Sequence, residues 1–123
     1  MEGSAERRTF PASGARKPGK SDARRPVGQN GVDRDGVLVE GFAAQTQQAV
    51  RNLLAVLAAA GAGPEHVVKL TVYLAAGSDP AEGYAATRAV WGDHRTAVTV
   101  VAVTPARPGV LVEIDAVAAL PQG

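Results

Sequence analysis

The sequence contains no cysteine, and this absence excludes several kinds of chemistry at once. Without thiols the chain can form no disulfide framework, no thiolate metal site and no cysteine nucleophile. Aromatic residues make up only 4% of the chain, too few for a platform that stacks nucleic-acid bases. A chain without cysteine fits a reducing compartment, and we expect a cytoplasmic protein.

Long apolar runs are also missing. No stretch approaches the ~20 residues that a membrane-spanning helix needs, and the arginine-containing N-terminus lacks the apolar core of a secretory signal. The sequence has no glycine-rich phosphate loop and no G-x-S-x-G pattern. The two histidines, His66 and His94, have neither a carboxylate nor a second histidine at metal-ligand spacing. We therefore expect no membrane contact, no metal and no cofactor.

Charge is distributed unevenly along the chain. Residues 1–26 carry seven basic and three acidic residues, a net charge of +4, whereas residues 27–123 carry six and nine, a net charge of −3. The first segment is rich in Gly, Pro, Ser, Ala and Arg, so it can bury too little apolar surface to offset the entropy of ordering. We predict a disordered basic segment over 1–26 and one domain over 27–121. A solvated extension is the favoured interpretation of the basic segment, and a nucleic-acid tail is the alternative.

Apolar periodicity predicts the elements of that domain. Val50, Leu53, Leu54 and Leu57 form one stripe of a helix over 42–60, which Gly61 ends in a left-handed conformation. A second helix is predicted over 79–91. Strands are predicted over 67–75, 97–103 and 110–118 from their β-branched, alternating composition. The Asp-Arg-Asp-Gly run that begins at residue 33 resembles a calcium loop, but the later ligands are missing, so a turn is predicted.

The order helix, strand, helix, strand, strand predicts an α+β fold. Both helices can pack on one face of a mixed β-sheet, which gives a two-layer domain. Lys69, Thr71 and Tyr73 share one face of their strand, and the apolar Leu70 and Val72 share the other. That division is typical of a strand with helices on one side and a partly polar cleft on the other.

Five stretches resemble the RidA/YjgF family of enamine/imine deaminases, in the family's order and without large gaps. They are Gly28-Gln29, the first helix from Phe42 to Gly61, the Val-Val-Lys-Leu-Thr-Val-Tyr-Leu strand at 67–74, the Trp-Gly-Asp-His turn at 91–94, and the Gly-Val-Leu-Val-Glu-Ile-Asp-Ala run at 109–116. The resemblance implies a chorismate-mutase-like fold and a homotrimer with small-molecule clefts between subunits. It also implies hydrolysis of reactive enamine and imine acids to 2-keto acids and ammonia, without metal or cofactor.

The same resemblance supplies candidate site residues. Glu113 matches the glutamate that positions and activates water, whereas its strand parity alone indicates a plain outward-facing residue. Thr99 matches a cleft-side serine or cysteine, Tyr84 takes the place of a cleft asparagine, and Gly28 offers a backbone amide. Val98 stands where the family has the arginine that binds the substrate carboxylate. Weak or absent hydrolysis of amino-acid-derived imines is therefore expected.

Four functional hypotheses remain open. The favoured one is a ligand-binding or weakly hydrolytic member of the family. The others are an active deaminase that uses other cleft groups, an RNA-interacting protein that uses the basic segment, and a defective product without a stable trimer. The N-terminus supports the hypothesis of a defective product, because the family begins with two strands that residues 1–26 do not resemble. A shifted reading frame or misassigned start is one interpretation. We expect residues 1–25 to lack regular structure, to leave a sheet edge uncovered, and to make the trimer poorer.

Overall fold

The computed structural model describes residues 24–120, with side chains from Gly28 onward. Four strands and two α-helices follow one another in the chain, with a short 3₁₀ turn at Pro64–His66 between α1 and β2. Their bounds are β1 Arg24–Asn30, α1 Phe42–Ala59, β2 Val67–Ala75, α2 Pro80–Trp91, β3 Ala97–Val103 and β4 Val112–Ala119.

Helix α1 buries the stripe that its sequence predicts. Val50, Leu53 and Leu57 are buried, and Leu54 packs against the same core from a half-buried position. Because these residues recur at helical spacing, one face of α1 meets the sheet while the opposite face stays in water. The helix ends as predicted, with Gly61 at φ +77°, a conformation that glycine adopts without steric cost.

Helix α2 begins and ends at strong local signals. The Asp79 side chain accepts a hydrogen bond from the backbone N–H of Ala81 at 2.9 Å, and Pro80 occupies the first helical position. Gly92 follows the last turn at φ 82° and its N–H donates to the Arg88 carbonyl at 3.0 Å. The predicted bounds of this helix are confirmed to within one residue.

The sheet is mixed and has the order β1-β4-β2-β3. Strands β2 and β3 run parallel and are joined through α2, whereas β4 is antiparallel to both of its neighbours. The core lies between the sheet and α1, where the buried residues of β2 and β4 meet the α1 stripe. The predicted two-layer α+β fold, with both helices on one face of a mixed sheet, is confirmed.

Strand β1 corrects the sequence-based prediction for the N-terminal segment. Arg24 and Arg25 belong to this strand, so the prediction that residues 1–25 lack regular structure is wrong at these two positions. The strand tolerates Pro26 because it lies at the edge of the sheet, where a missing N–H removes no essential ladder bond. β1 pairs with β4 over its whole length, so the β4 edge is covered. Residues 1–23 of the predicted disordered segment lie outside the described residues, and the boundary at residue 27 stays a prediction.

Strand β3 is the opposite edge, and it carries exposed valines on both faces. Val98 and Val100 are 52% and 53% exposed on the helix side, and Val101 is exposed on the other side. Neither helix covers this strand, because α1 packs over β1 and β4 and against α2. An edge strand of this kind presents both apolar surface and unpaired backbone groups.

No helix among residues 24–120 is long and apolar enough to cross a membrane.

Candidate functional site

The face of the sheet that the helices leave open carries polar side chains in a cross-strand row. Gly28, Asp115, Thr71 and Thr99 are successive register partners on β1, β4, β2 and β3. Register partners on adjacent strands project to the same face. The row therefore runs across the whole sheet at one level.

The next row brings together an acid and a phenol. Glu113 of β4 is the register partner of Tyr73 of β2, and Asn30 and Val101 extend the row to the two edges. Glu113 is exposed, while Tyr73 and Asp115 are half-buried. A side-chain hydrogen bond with Asp115 raises the pKa of Tyr73 above its usual value, and the negative charge of Asp115, desolvation and the charge of Glu113 act in the same direction.

A cavity of about 280 Å³ lies beside these groups. Its strand wall consists of the two carboxylates and the phenol, and its other wall consists of the segment that leaves β3. The lining residues are Tyr73, Val103, Thr104, Pro105, Ala106, Glu113 and Asp115. Each wall comes from secondary structure or from a loop fixed by it, so the chemistry is held in place by the sheet register.

A buried glutamine fixes the loop that follows β3. Gln45 of α1 is 3% exposed, and its Nε2 donates to the Gly109 carbonyl at 2.9 Å. Its Oε1 accepts from the N–H of Leu111 at 2.8 Å. Both ends of the amide are thus used to hold the β3–β4 loop against α1, since a buried amide without partners would be costly.

Two of the predicted site residues come together in the chain. Glu113 and Gly28 lie on adjacent strands, and a Cβ at Gly28 would stand 3.7 Å from Oε2 of Glu113. Thr99 is on the same sheet face, in the row of Asp115, but two strands away. Of the predicted substrate-binding residues, Gly28 is therefore the one next to the predicted catalytic carboxylate.

The other two predicted residues lie elsewhere within the chain. Val98 is the register partner of the buried Leu70, so it belongs to the helix face of the sheet rather than to the face of Glu113. Tyr84 is on α2 and 65% exposed, where its hydroxyl accepts a hydrogen bond from Arg88 at 3.2 Å. Neither residue lines the cavity beside Glu113.

Glu113 is the one lining residue of the cavity that was predicted as a site residue, and the two other ionisable side chains of the lining, Tyr73 and Asp115, were not. Asp115 stands two residues from Glu113 on β4, and Tyr73 stands two residues from Thr71 on β2, so each shares one face of its own strand with that residue. That parity was visible in the sequence. The antiparallel register of β2 and β4, which brings the two strands into contact at these positions, was not.

A larger hollow of about 620 Å³ lies on the helix side, between α1 and the turn after β1. Its central polar residue, Asn52, donates to the carbonyl oxygens of Asn30 at 2.9 Å and Val32 at 2.6 Å and accepts from Gln48. These bonds close the turn onto the helix. The hollow is therefore explained by the packing of that turn.

The residues considered for metal binding have structural roles. Asp33 Oδ1 accepts from the N–H groups of Asp35 at 2.9 Å and Val37 at 3.0 Å, which confirms the predicted turn. His66 Nδ1 accepts from the N–H of Gly63. Within residues 24–120 no group of three His, Cys, Asp or Glu side chains could hold a metal ion.

Comparison with known proteins assigns a family to this fold and site. Residues 26–120 match the family model described as endoribonuclease L-PSP. The chain is 46% identical over 82 residues to a RutC family protein of Synechocystis, an alignment that spans 63% of this chain and 60% of that protein. It is 36% identical over 94 residues to a RutC family protein of Pyrococcus horikoshii, with 75% of each chain aligned.

Solved structures agree with this assignment. RidA from an Antarctic Psychrobacter superposes with a TM-score of 0.69 and 34% identity, over 75% of this chain and 76% of that one. A Mycobacterium tuberculosis member of the YjgF family superposes with a TM-score of 0.65 and 32% identity, over 75% and 74% of the two chains. With the family model matched from the middle of β1 to the end of the described residues, this chain belongs to the RidA/YjgF (endoribonuclease L-PSP) family.

Proposed function

We propose that the protein binds a small molecule in a cleft at Glu113 and is related to the enamine/imine deaminases of its family, with weak activity on amino-acid-derived imines. The observation that carries the proposal is the pairing of an accessible Glu113 carboxylate with a cavity of about 280 Å³, while residue 98 is valine. The carboxylate that would activate water for imine hydrolysis is therefore present. The cation that would hold a carboxylate substrate is not at its family position.

Glu113 can serve as a general base on the open sheet face. A carboxylate within hydrogen-bond reach of a water molecule can take its proton as the water oxygen bonds to the imine carbon. The resulting carbinolamine loses ammonia and leaves a 2-keto acid, so the overall reaction consumes one water molecule. No redox cofactor is required for this hydrolysis, and any activity would be that of a hydrolase acting on C=N bonds.

Val98 accounts for the expected weakness of that activity. An arginine binds a carboxylate through two parallel charge-assisted hydrogen bonds, and each such bond is worth about 1.5–3 kcal/mol. Valine can form neither. A substrate that keeps an amino-acid carboxylate would therefore bind weakly, and its reacting carbon would be poorly oriented toward the water at Glu113.

A homotrimer is part of this proposal. The exposed valines of β3 are apolar surface at a sheet edge, of the kind that a subunit interface covers. Val98 and Tyr84 lie away from Glu113 within one chain. A cleft between subunits would bring groups of a neighbouring chain to the Glu113 cavity, which one chain leaves open.

The test is the release of 2-ketobutyrate from 2-iminobutanoate, with an arginine-bearing relative assayed in parallel. We expect a rate at least about 100-fold below that of the relative, since two charge-assisted bonds are lost. Val98→Arg should raise the rate, and Glu113→Gln should abolish the gain. Glu40→Gln is the matched control, because Glu40 is exposed and outside the cavity. A wild-type rate equal to that of the relative would favour an active deaminase that uses other cleft groups.

RNA interaction is a second candidate. Two observations favour it: the family description names an endoribonuclease, and residues 1–26 carry a net charge of +4. Binding through such a segment is electrostatic, so affinity for RNA should fall steeply with salt. Removal of residues 1–23, which leaves β1 intact, should then abolish binding. RNA affinity that survives this deletion would place the interaction elsewhere.

A further inference from the structure

Glu113 has a neighbour on each side at its own level of the open sheet face. Its register partner on β2 is Tyr73, and its register partner on β1 is Asn30. Tyr73 lines the cavity, whereas Asn30 does not. Asn30 therefore lies behind the Glu113 carboxylate, on the side away from the cavity.

The Glu113 carboxylate leans toward β1, the strand of Asn30. Its Oε2 lies 3.7 Å from the position that a Cβ at Gly28 would occupy. Gly28 and Asn30 are two residues apart on β1, so they share its open face. Register partners on antiparallel strands have Cβ atoms about 4.5–5.5 Å apart. The short carboxamide of Asn30 is therefore within hydrogen-bond reach of the carboxylate.

The backbone of Asn30 is held from the helix side. Its carbonyl oxygen accepts a hydrogen bond from Nδ2 of Asn52 at 2.9 Å. At the next residue, Gly31, a Cβ would stand 2.7 Å from the Cα of Gln45, so the chain here lies directly against α1. By its register with Glu113, the half-buried side chain of Asn30 projects to the opposite, open face. Among the described residues no hydrogen bond engages this side chain, so its two N–H donors are available to the carboxylate beside it.

We propose that Asn30 is a positioning residue that orients the Glu113 carboxylate from behind. Its Nδ2 donates to one carboxylate oxygen, which leaves the other oxygen turned toward a water molecule in the cavity. A base that is itself oriented by a third group is a recurring arrangement in active sites. The inference rests on the proposed function, because it needs Glu113 to act as the base.

The exposure of Glu113 gives such an orienting group a purpose. Glu113 is exposed, so without a partner its side chain can occupy several staggered rotamers. Only some of them direct an oxygen into the cavity, and a reacting group that is out of place slows the chemical step. Asn30 has a fixed backbone and a short side chain, so it can favour one of these rotamers at little entropic cost.

The first test follows the Asn30 carboxamide by NMR in the isotope-labelled full chain, without substrate. The Nδ2 signals are assigned by their loss in Asn30→Asp. Glu113→Leu removes the acceptor, so it should shift these signals and speed the exchange of their protons with water, whereas Glu40→Leu should do neither. The Nε2 signals of Gln29, which pairs with the buried Ile114 on the other face, should stay in place in both variants. Asn30 signals that ignore Glu113→Leu would overturn the inference and leave the proposed function untouched.

The second test is kinetic and uses the Val98→Arg chain, which is expected to hydrolyse 2-iminobutanoate faster than the wild type. Asn30→Leu in that chain should lower kcat at least about tenfold and change KM less than about twofold, because orientation of the base matters for the chemical step alone. Asn30→Gln keeps the donor and should recover part of the loss. Gln29→Leu is the matched control on β1 and should leave kcat and KM unchanged.

The outcomes separate this inference from the proposed function. A raised KM with unchanged kcat in Asn30→Leu, or an equal loss in Gln29→Leu, would show that Asn30 serves only the packing of β1. An inactive Val98→Arg chain would overturn the proposed function, and the role of Asn30 with it, even where NMR finds the contact. Should Asn30→Leu fail to fold, the exchange of the Asn30 carboxamide in Glu113→Leu decides alone.

Discussion

The carboxylate of Asp115 lies in the space that a side chain at Gly28 would need. The two residues are register partners on β4 and β1, and a Cβ at Gly28 would stand 2.8 Å from Oδ1 of Asp115. The absence of a side chain on β1 therefore determines where this carboxylate can point. The same carboxylate lines the cavity, together with Tyr73 and Glu113.

Alanine at two glycines should have unequal effects on stability. At Gly28 the obstacle is the end of a side chain, which can rotate away, so Gly28→Ala should cost about 1 kcal/mol. At Gly31 a Cβ would meet the backbone Cα of Gln45 at 2.7 Å, which can move only with α1. Gly31→Ala should cost about 3 kcal/mol or more. Urea unfolding measures both, and equal costs would contradict the packing described for β1 and α1.

Replacement of Gln45 should loosen the loop that forms one wall of the cavity. Gln45→Leu keeps most of the side-chain volume but removes the bonds to Gly109 and Leu111, at a cost of about 1–3 kcal/mol for each buried group left unpaired. Amide exchange of Leu111 should accelerate. Gln47→Leu is the matched control on the same helix. Unchanged protection of Leu111 in Gln45→Leu would show that the loop is held by other contacts.

The pKa of Tyr73 gives the protein a stability term that is lost at high pH. The hydrogen bond with Asp115, then its charge, desolvation and the charge of Glu113, raise the pKa above the usual 10.0. The folded protein therefore retains this proton when the unfolded chain has lost it, so the stabilisation is full below pH 10.0 and disappears as pH rises through the folded pKa. Ultraviolet titration should show one tyrosine that ionises above the usual range.

Variants identify that tyrosine. Tyr73→Phe should remove the late ionisation, and Asp115→Asn should bring it back toward the usual value. Tyr84→Phe is the matched control, since Tyr73 and Tyr84 are the two tyrosines of the chain. If the late ionisation persists in Tyr73→Phe, the hydrogen bond with Asp115 is not its cause.

A charge on β3 should weaken the proposed trimer. Val100 is 53% exposed on an edge strand, and burial of an unpaired carboxylate at an interface is unfavourable. Val100→Glu should therefore shift the protein toward smaller species in size-exclusion chromatography with light scattering. Val37→Glu is the control, because Val37 is 58% exposed in the turn after β1. A trimer that persists in Val100→Glu would place the interface away from β3.

The elements with a strong local signal could be predicted from the sequence. The apolar stripe of α1, the Asp79 cap of α2 and the alternation along β2 depend on residues a few positions apart. Strand β1 escaped prediction because its Arg-Arg-Pro-Val-Gly-Gln-Asn sequence has no apolar alternation. The hydrogen bonds of β1 are formed with β4, about 90 positions later in the chain. Local β-propensity carries no information about a pairing partner that is so distant in sequence.

The sequence by itself determined the family, the order of the elements from α1 onward, and the presence of Glu113 with valine at residue 98. Only the tertiary structure decided which of the candidate residues meet. The register of β1, β4 and β2 gathers Gly28, Asp115, Glu113 and Tyr73 on the open face and assigns Val98 to the other face. The physical reason is that alternation along a strand determines only which of two faces each side chain occupies. Contact between side chains of different strands depends also on the register in which those strands pair, and the strands here are distant in sequence.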